Sequence, residues 1–266
     1  MYTKQDLIQN IFDIGIKSED TLLVHSSMKS IGEVKGGADT VLDAFMEYMK
    51  PGLLIFPTHT WEQMNSEHNV FNPLYEPSCI GVLSNLFMRR TGVIRSWHPT
   101  HSVAAIGKDS KEYVSGEENW DTPCARKGCW GKLYDRKAKI LFLGCSLRNN
   151  TLLHGVEEWN GIKNRFTEKP RAYKILTPDG RLIERPVYGH YCTTCDDISK
   201  NYIKMEAPFI YNGIARIGFI GDAVCTLCDA VGMVELTTNY LKIKPDLFGD
   251  FSPVPQHWYR KQAKAE

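Results

Sequence analysis

The sequence lacks a charge excess of either sign, because 32 Lys and Arg residues face 31 Asp and Glu residues and leave a formal net charge of +1. A chain without a basic surplus has no overall field that favours nucleic acid or an anionic membrane. The sequence also lacks an apolar run of roughly 20 residues, the length that crosses a bilayer. Its start has no basic stretch followed by an apolar one, which a secretory signal would show. We therefore expect a cytoplasmic protein that binds neither nucleic acid nor membrane.

No low-complexity segment, linker or internal repeat divides the 266 residues, so we expect one domain over residues 1–266. The composition is 42% hydrophobic and 24% charged, which is ordinary for a globular protein with a large core. Eight cysteines are present. Without a secretory signal, free thiols are the expected state of these cysteines.

Alternating strand and helix patterns indicate an α/β fold. A helix capped by Thr3 is predicted to end near Asp13, and strands are predicted over 21–24 and 53–56 with a helix between them. Further along the chain, we predict helices over 79–90, 124–134 and 198–205 and strands over 103–106, 140–143 and 215–219. A hairpin is predicted over 173–184. Residues 59–77 have weak periodicity and are predicted as a surface loop. Residues 225–241 have the spacing of a long amphipathic helix.

The segment Thr-Leu-Leu-His-Gly-Val-Glu at 151–157 is the strongest candidate for chemistry. Side chains three residues apart share a helix face, so His154 and Glu157 could act on one small volume. Asn149 or Asn150 can cap this helix, which would follow the predicted strand over 140–143. Ligands of open α/β sheets collect at the carboxyl ends of the strands, and a helix start disfavours imidazolium. The same pattern also fits a partly buried histidine bonded to a backbone carbonyl.

Four separated motifs resemble those of the aminoglycoside 3-N-acetyltransferase family. They are His-Ser-Ser at 25–27, Pro-Thr-His-Thr at 57–60, the segment 98–107 beginning His-Pro-Thr-His-Ser, and the segment 151–157. A late Arg-Ile-Gly at 216–218 is similar to the family's Arg-x-Gly strand. The motifs occur in order and span most of the chain, which makes the resemblance specific.

The resemblance implies a three-layer α/β/α sandwich around a mixed, mostly parallel sheet, distinct from the common N-acetyltransferase fold. It also implies transfer of an acetyl group from acetyl-coenzyme A to the 3-amino group of an aminoglycoside or a similar aminocyclitol amine. A role in antibiotic resistance follows, no metal is expected, and a homodimer is left open. In this family's pattern His154 is the general base, with Glu157 as the acid that orients it.

The resemblance assigns coenzyme A to two groups of residues. Ser26, Ser27, Met28, Lys29 and Ser30 would line one side of its slot, and Ser102, Val103 and Thr151 the other. Hydroxyls and free backbone amides at strand ends suit the phosphates and amides of the cofactor. Backbone amides around 26–28 or 102–103 would stabilise the oxyanion.

The acceptor is expected to meet His98, His101, Asp121, His190 and Cys192. A polycationic acceptor calls for an acidic pocket. The candidate acids on loop-like segments are Glu62, Glu67, Glu117, Glu118, Asp121, Asp196 and Asp197.

Two alternatives stay open at this stage. Cys192, Cys195, Cys225 and Cys228 form two Cys-x-x-Cys pairs that could hold a tetrahedral zinc ion in a regulatory or binding protein. Small buried cysteines in an apolar pattern explain the second pair equally well. The chain could also be a member of the same fold that binds coenzyme A and has a different acceptor, or that no longer transfers acetyl groups.

Overall fold

The computed structural model describes residues 1–193 and 195–260. Its strands are β1 Thr21–Ser26, β2 Leu53–Pro57, β3 Val70–Phe71, β4 Ile94–Arg95, β5 Val103–Gly107, β6 Lys139–Leu143, β7 Arg171–Leu176, β8 Leu182–Val187, β9 Ala215–Ile220 and β10 Ala223–Asp229. The α-helices are α1 Lys4–Asp13, α2 Gly37–Tyr48, α3 Val82–Phe87, α4 Ser110–Val114, α5 Cys129–Asp135, α6 Thr151–Trp159, α7 Glu206–Tyr211 and α8 Ala230–Ile243. Short 3-10 helices span Met28–Ile31, Glu117–Asn119, Leu147–Asn149, Ile198–Met205 and Gln256–Trp258.

Seven strands form the central sheet in the order β4-β5-β2-β1-β6-β10-β9. The expected mixed sheet is confirmed, but only the central trio β2, β1 and β6 is parallel, so the sheet is less parallel than expected. The outer pairings are antiparallel. The tight turn between β9 and β10 makes that pair antiparallel, with Gly221 at a φ of 57° that few other residues adopt.

Helices cover both faces of the sheet, which gives the expected α/β/α layers. One apolar cluster joins the sheet to α1, α2 and α3 through residues such as Leu7, Phe45 and Phe87. The other joins it to α5, α6 and α8 through residues such as Trp130 and Leu152. Alternate residues along the central strands enter opposite clusters, because strand side chains alternate between the faces of a sheet.

The long helix predicted over 225–241 is wrong in its first part. Residues 223–229 form β10, and the helix α8 begins only after Asp229, whose side chain accepts a hydrogen bond from the Gly232 amide at 2.8 Å. Cys225 and Cys228 pack into different apolar clusters on opposite sides of the sheet. A short apolar run between two element types has no unambiguous period, so the pattern could not separate strand from helix.

The surface loop predicted over 59–77 is confirmed in large part, because the segment is irregular apart from β3 and more than half of its residues are exposed, but several of its residues are buried. His59 and Thr60 are buried, and Met64 and Phe71 are fully enclosed. Phe71 belongs to β3 in a second sheet of order β3-β7-β8, and Met64 and Phe71 join Tyr173, Ile175 and Val187 in a small core. This segment therefore connects the main sheet to the hairpin of β7 and β8.

Other predicted elements are found with shifted boundaries. The first helix has Thr3 as its cap, with a reciprocal bond to Asp6, and the hairpin predicted over 173–184 is formed by β7 and β8. The helices predicted over 79–90 and 124–134 are the shorter α3 and α5, and the one predicted over 198–205 is a 3-10 helix. Within residues 1–193 and 195–260, no helix has both the length and the apolarity to cross a membrane.

The interior of the central sheet should dominate stability. Replacement of Leu141 in β6, fully buried, by Ala should lower the free energy of unfolding by about 2–5 kcal/mol because it leaves a cavity. The same replacement at Leu74, 55% exposed, should change it by less than about 0.5 kcal/mol. Urea unfolding of both variants measures the difference, and equal effects would contradict this placement of the core.

Candidate active site

A cavity of about 670 Å³ opens where β1, β2 and β6 end and α6 begins. This is the edge of the sheet at which ligands of α/β folds collect. His25, Ser26, His59, Thr151 and His154 line it on the side of the main sheet. The opposite wall includes Arg171, Tyr188, His190, Tyr191, Cys192, Asp196 and Asp197.

His154 and Glu157 are joined through a third residue. The Nδ1 atom of His154 lies 2.8 Å from the Tyr202 hydroxyl, which donates to Glu157 Oε2 at 2.6 Å. The expected direct pair of His154 and Glu157 is therefore corrected to a bridged one. The two residues do share a face of α6, but Tyr202, fully buried in the 3-10 helix Ile198–Met205, occupies the space between them.

This bridge fixes the protonation of the imidazole. A tyrosine hydroxyl has one hydrogen, and a carboxylate can only accept, so the Tyr202 hydrogen goes to Glu157. The hydrogen between Tyr202 and His154 must then belong to Nδ1. The Nε2 atom of His154 consequently carries the lone pair, and no described residue hydrogen-bonds to it.

Glu157 is anchored from its other side by Arg165. Arg165 Nε donates to Glu157 Oε1 at 2.6 Å, and Arg165 Nη2 donates to Asp246 Oδ1, also at 2.6 Å. Burial raises the pKa of Glu157, while the guanidinium of Arg165 opposes that rise. Burial alone would lower the pKa of Arg165, but the carboxylates of Glu157 and Asp246 raise it. Glu157 and Arg165 thus form a buried ion pair. This pair links His154, through Tyr202, to Asp246.

The His154 ring is held neutral. Desolvation lowers its pKa to about 4, and the charge of Arg165 acts in the same direction while Asp197 opposes it. At neutral pH the ring can therefore accept a proton at Nε2.

Histidines from distant parts of the chain meet at this cavity. The His154 and His190 rings stack with centroids 4.2 Å apart and planes 13° apart. His101 contacts His190 at 5.0 Å and His59 at 4.7 Å, both edge to face. Burial lowers the pKa of His59, His101 and His190 well below the ordinary value, so these rings are neutral too.

The expected acceptor residues divide into two groups. His101, His190 and Cys192 line the cavity, whereas His98 and Asp121 do not. His98 is fully buried, and its Nδ1 accepts from the backbone amides of Thr100 and His101. Its Nε2 lies 3.1 Å from the Thr122 carbonyl oxygen. His98 therefore shapes the backbone of its own turn, and its assignment to the acceptor is corrected.

The expected coenzyme A residues before α2 are only partly at the cavity. Ser26 lines it, while Ser27, Met28, Lys29 and Ser30 do not. The Ser30 hydroxyl donates to the Gly144 carbonyl oxygen and lies equally close to Ser27 Oγ, at 3.0 Å in both cases. These four residues belong to the turn that follows β1.

On the other side, Thr151 lines the cavity and Ser102 and Val103 do not. Ser102 is fully buried, and its hydroxyl bonds to Thr58 and Arg95. The Val103 amide donates to Ser96 Oγ at 3.0 Å. The Ser27 amide likewise donates to the Leu143 carbonyl. Neither of these two amides is available for an oxyanion, which corrects that part of the expectation.

The cavity is less acidic than expected for a polycationic acceptor. Of the seven candidate acids, only Asp196 and Asp197 line it. Glu117, for example, is fully buried and accepts from the Cys129 amide. The two acids face two bases in the same lining, Arg148 and Arg171.

The four-cysteine zinc site is contradicted by the geometry. Cys192 and Cys195 are close, with their sulfur atoms 2.7 Å apart. Cys225 and Cys228 point to opposite sides of β10, so they cannot bind one ion together. In the part of the chain that is described, no group of three or more His, Cys, Asp or Glu side chains is arranged to hold a metal.

Tyr202 and Arg165 are the site residues that sequence reasoning missed. Tyr202 lies 48 residues from His154 and 45 from Glu157 along the chain, and Arg165 lies in a loop after α6. No local pattern marks such contacts. His59 was found only as part of a motif, and its Nε2 lies 3.2 Å from the Thr151 hydroxyl.

Comparison with known proteins bears on the family and the fold of this chain. A sequence profile described as aminoglycoside 3-N-acetyltransferase matches residues 23–242. The chain belongs to this family. It is therefore an acyltransferase. Among curated relatives, aminoglycoside N(3)-acetyltransferase III of Salmonella sp is 26% identical over 97% of this chain and 96% of its own length. The aminoglycoside N(3)-acetyltransferase IX of Micromonospora chalcea is 27% identical over 91% and 94%.

Solved structures share the fold. The chain is similar to AAC-IIIb in binary complex with CoASH, with a TM-score of 0.80, 20% identity and coverage of 96% of this chain and 99% of that one. It is also similar to the YokD protein of Bacillus subtilis, with a TM-score of 0.80, 22% identity and coverage of 92% and 94%. These likenesses support the α/β/α architecture.

The buried ion pair offers a direct test of this arrangement. Arg165→Met should lower the free energy of unfolding by about 3–5 kcal/mol, because it leaves the carboxylate of Glu157 buried without its partner. Adding Glu157→Gln should recover much of this loss. Thermal or urea unfolding measures both effects.

Arg181→Met is the matched control, because Arg181 forms an exposed pair with Asp179 and should change stability little. A double variant no more stable than Arg165→Met alone would contradict the proposed dependence on the charge of Glu157.

Proposed function

We propose that the protein transfers the acetyl group of acetyl-coenzyme A to an amine, the 3-amino group of an aminoglycoside or of a similar aminocyclitol. The observation that carries this proposal is the lone pair of His154 Nε2 at the cavity, fixed by the bridge through Tyr202. The names of the relatives support the acetyl transfer and the aminoglycoside acceptor. We propose a cytoplasmic location for this function.

The cavity offers a suitable set of groups for acetyl-coenzyme A. His25 Nε2 and His59 Nδ1 are buried and have no hydrogen-bond partner, and both residues line the cavity. Buried polar atoms of this kind call for a ligand partner, such as the amides of the pantetheine arm. The hydroxyls of Ser26 and Thr151 add neutral polar groups, and Arg148 adds positive charge for a phosphate.

His154 would act as the general base. The thioester supplies an activated acetyl carbon, and the acceptor nitrogen must lose a proton as it bonds to that carbon and the thiolate of coenzyme A departs. His154 Nε2 takes this proton. Since the ring is neutral before the reaction, it has the capacity to do so without first losing a proton of its own.

Tyr202 and Glu157 would stabilise the ring once it is protonated. The Nδ1–H group of the imidazolium donates to the Tyr202 hydroxyl, which donates in turn to Glu157, so the carboxylate stabilises the positive charge that remains on the ring. This is the role of the acid in a catalytic triad, with one hydroxyl inserted. Arg165 holds the carboxylate in place and is a positioning residue.

The acceptor would bind against the opposite wall. His101, His190 and Cys192 line it and are proposed to contact the acceptor. His190 covers one face of the His154 ring, so it also limits the direction from which an amine can approach Nε2.

The role of His154 can be tested by substitution. His154→Ala should lower kcat by about 100-fold or more, as expected for the loss of a general base, while the affinity for acetyl-coenzyme A stays nearly unchanged. Release of coenzyme A thiol measures turnover, and calorimetry measures binding. His68→Ala, at a surface histidine paired with Glu76, is the control. Near-normal turnover in the His154 variant would remove this residue from the mechanism.

Tyr202→Phe tests the bridge. It keeps the ring and removes the hydroxyl, so kcat should fall about 10- to 100-fold, the equivalent of roughly 1.4–3 kcal/mol for a hydrogen bond to a charged group.

The wild-type rate should show no titration near pH 6.5, because the pKa of His154 is about 4 and the ring binds a proton only below that pH. The rates are measured from pH 5 to 8.

Tyr188→Phe is the control, since Tyr188 also lines the cavity but lies outside the bridge. Equal rates for Tyr202→Phe and the wild type across this pH range would show that the bridge is structural only.

A further inference from the structure

We propose that Cys192 and Cys195 form a reversible disulfide beside the acceptor, made by exchange with a small disulfide such as oxidised glutathione. This pair is one of the two Cys-x-x-Cys motifs of the sequence, and acetyl transfer gives it no redox role. Formation of the bond is independent of the proposed function. Its effect on the acceptor rests on that function.

The two thiols lie close enough to be joined. Both cysteines are free, and their sulfur atoms are 2.7 Å apart. A disulfide brings the sulfur atoms to about 2 Å, so closing the bond requires little movement of either side chain. The Cys-x-x-Cys spacing is also that of the reactive pair in thiol–disulfide oxidoreductases. Spacing and contact therefore agree for this pair.

Cys225 and Cys228 have the same spacing without the contact. They lie in β10, where they pack into different apolar clusters on opposite sides of the sheet. Residues 191–193 and 195–197 form neither a helix nor a strand, so the side chains of Cys192 and Cys195 can face each other. The second motif is thus an internal control for the effect of spacing alone.

Cys192 is accessible from the cavity. It lines the acceptor wall and is half-buried, and its neighbours Tyr191 and Thr193 are exposed. Reactive cysteines are partly exposed, whereas structural ones are enclosed. Cys124 and Cys129, for example, are fully buried. A small disulfide can therefore reach Cys192 through the opening that admits the acceptor.

The first attack belongs to Cys192. Burial raises the pKa of the Cys195 thiol to about 12, and the hydrogen bond and charge of Cys192 act in the same direction. Cys195 therefore keeps its hydrogen at neutral pH and can donate it to Cys192. The attacking species in such an exchange is a thiolate, so we assign the first step to Cys192, the cysteine that lines the cavity.

The exchange balances in two steps. Cys192 loses its proton to water and bonds to one sulfur of oxidised glutathione, and one glutathione thiolate leaves and takes up a proton. The sulfur of Cys195 then bonds to that of Cys192, while its proton passes to the second departing glutathione. Two electrons thus pass from the cysteine pair to oxidised glutathione, which ends as two thiols. Reduced glutathione reverses both steps and keeps the pair reduced at rest in a cytoplasmic location.

The bond alters the acceptor wall. Cys195 does not line the cavity, so a bond to it draws the sulfur of Cys192 away from the acceptor and removes its hydrogen. His25 and His59, on the side proposed for coenzyme A, are left unchanged. Oxidation should therefore weaken acceptor binding without weakening the binding of the cofactor.

Peptide mass spectrometry of the full-length protein tests for the bond. Reduced protein is incubated with oxidised glutathione, alkylated with N-ethylmaleimide in denaturant and cleaved with trypsin. Each Cys-x-x-Cys pair then lies in its own peptide, 182–200 or 217–242, since trypsin does not cleave between Arg185 and Pro186. We expect peptide 182–200 to be unlabelled and lighter by two hydrogens, and peptide 217–242 to carry two labels. A fully labelled peptide 182–200, even with oxidised glutathione alone, would overturn the proposal.

Cys195→Ser tests the order of attack. It removes the second sulfur, so glutathione should remain on Cys192 as a mixed disulfide. Basal turnover should stay within about twofold of the wild type, because Cys195 does not line the cavity. Cys79→Ser is the matched control, since it removes another partly exposed cysteine and should leave the bond between Cys192 and Cys195 unchanged. Absence of glutathione from Cys192 in the Cys195 variant would contradict its role as the attacking sulfur.

Kinetics measure the effect on the acceptor. With kanamycin A as the acceptor, KM should rise at least about threefold in the oxidised protein while kcat stays within about twofold, because binding is weakened and the bridge to His154 remains. Dithiothreitol should restore the original KM. The acetylated product is measured by mass spectrometry, since a disulfide reagent for thiols would itself oxidise the cysteine pair.

An unchanged KM in the oxidised protein would overturn the effect on the acceptor wall. Failure of the reduced protein to acetylate any aminoglycoside would contradict the proposed function, and the state of peptide 182–200 would still decide whether the disulfide forms.

Discussion

The site depends on one hydroxyl group, that of Tyr202, which donates to Glu157 and accepts from His154. Because this group has a single hydrogen and Glu157 can only accept, the direction of every bond from Arg165 to His154 is determined. The charge of Glu157 is in turn retained because Arg165 compensates for its burial. A neutral carboxyl group could donate to Tyr202 and would let the imidazole adopt the other tautomer. The electrostatics of a buried ion pair thus decides which nitrogen of His154 is basic.

The fold brings this set together from four parts of the chain. α6 starts just beyond the end of β6 and places His154 at the edge of the sheet. The small sheet of β3, β7 and β8 supports the opposite wall of the cavity. A β-bridge between Phe166 and His190 positions this wall beside His154. On the main sheet, residues at the ends of the parallel strands β1 and β2 line the cavity, together with residues just after β6.

The sequence predicted the main α/β pattern and His154, because periodicity and motif spacing are local properties of the chain. It placed β10 inside a helix, since the alternation from Ala223 to Asp229 is short and runs directly into α8. It paired His154 with Glu157 directly, because spacing on a helix says nothing about a side chain that arrives from another element. Ser102 and His98 looked available for ligands, yet their polar atoms are used inside the protein. Such competition between internal and ligand contacts is visible only in three dimensions.

The segment after α8 extends beyond the region matched by the family profile, yet it supports Tyr202. The Phe248 ring packs against Tyr202 with centroids 4.7 Å apart, and its carbonyl accepts from Asn201 Nδ2 at 2.7 Å. Lys204 donates to the Leu247 carbonyl, and Asp246 holds Arg165. The residues that follow residue 242 consequently support the hydrogen-bond chain that ends at His154. Sequence differences between relatives in this tail would change the reactivity of His154 without any substitution among the residues that line the cavity.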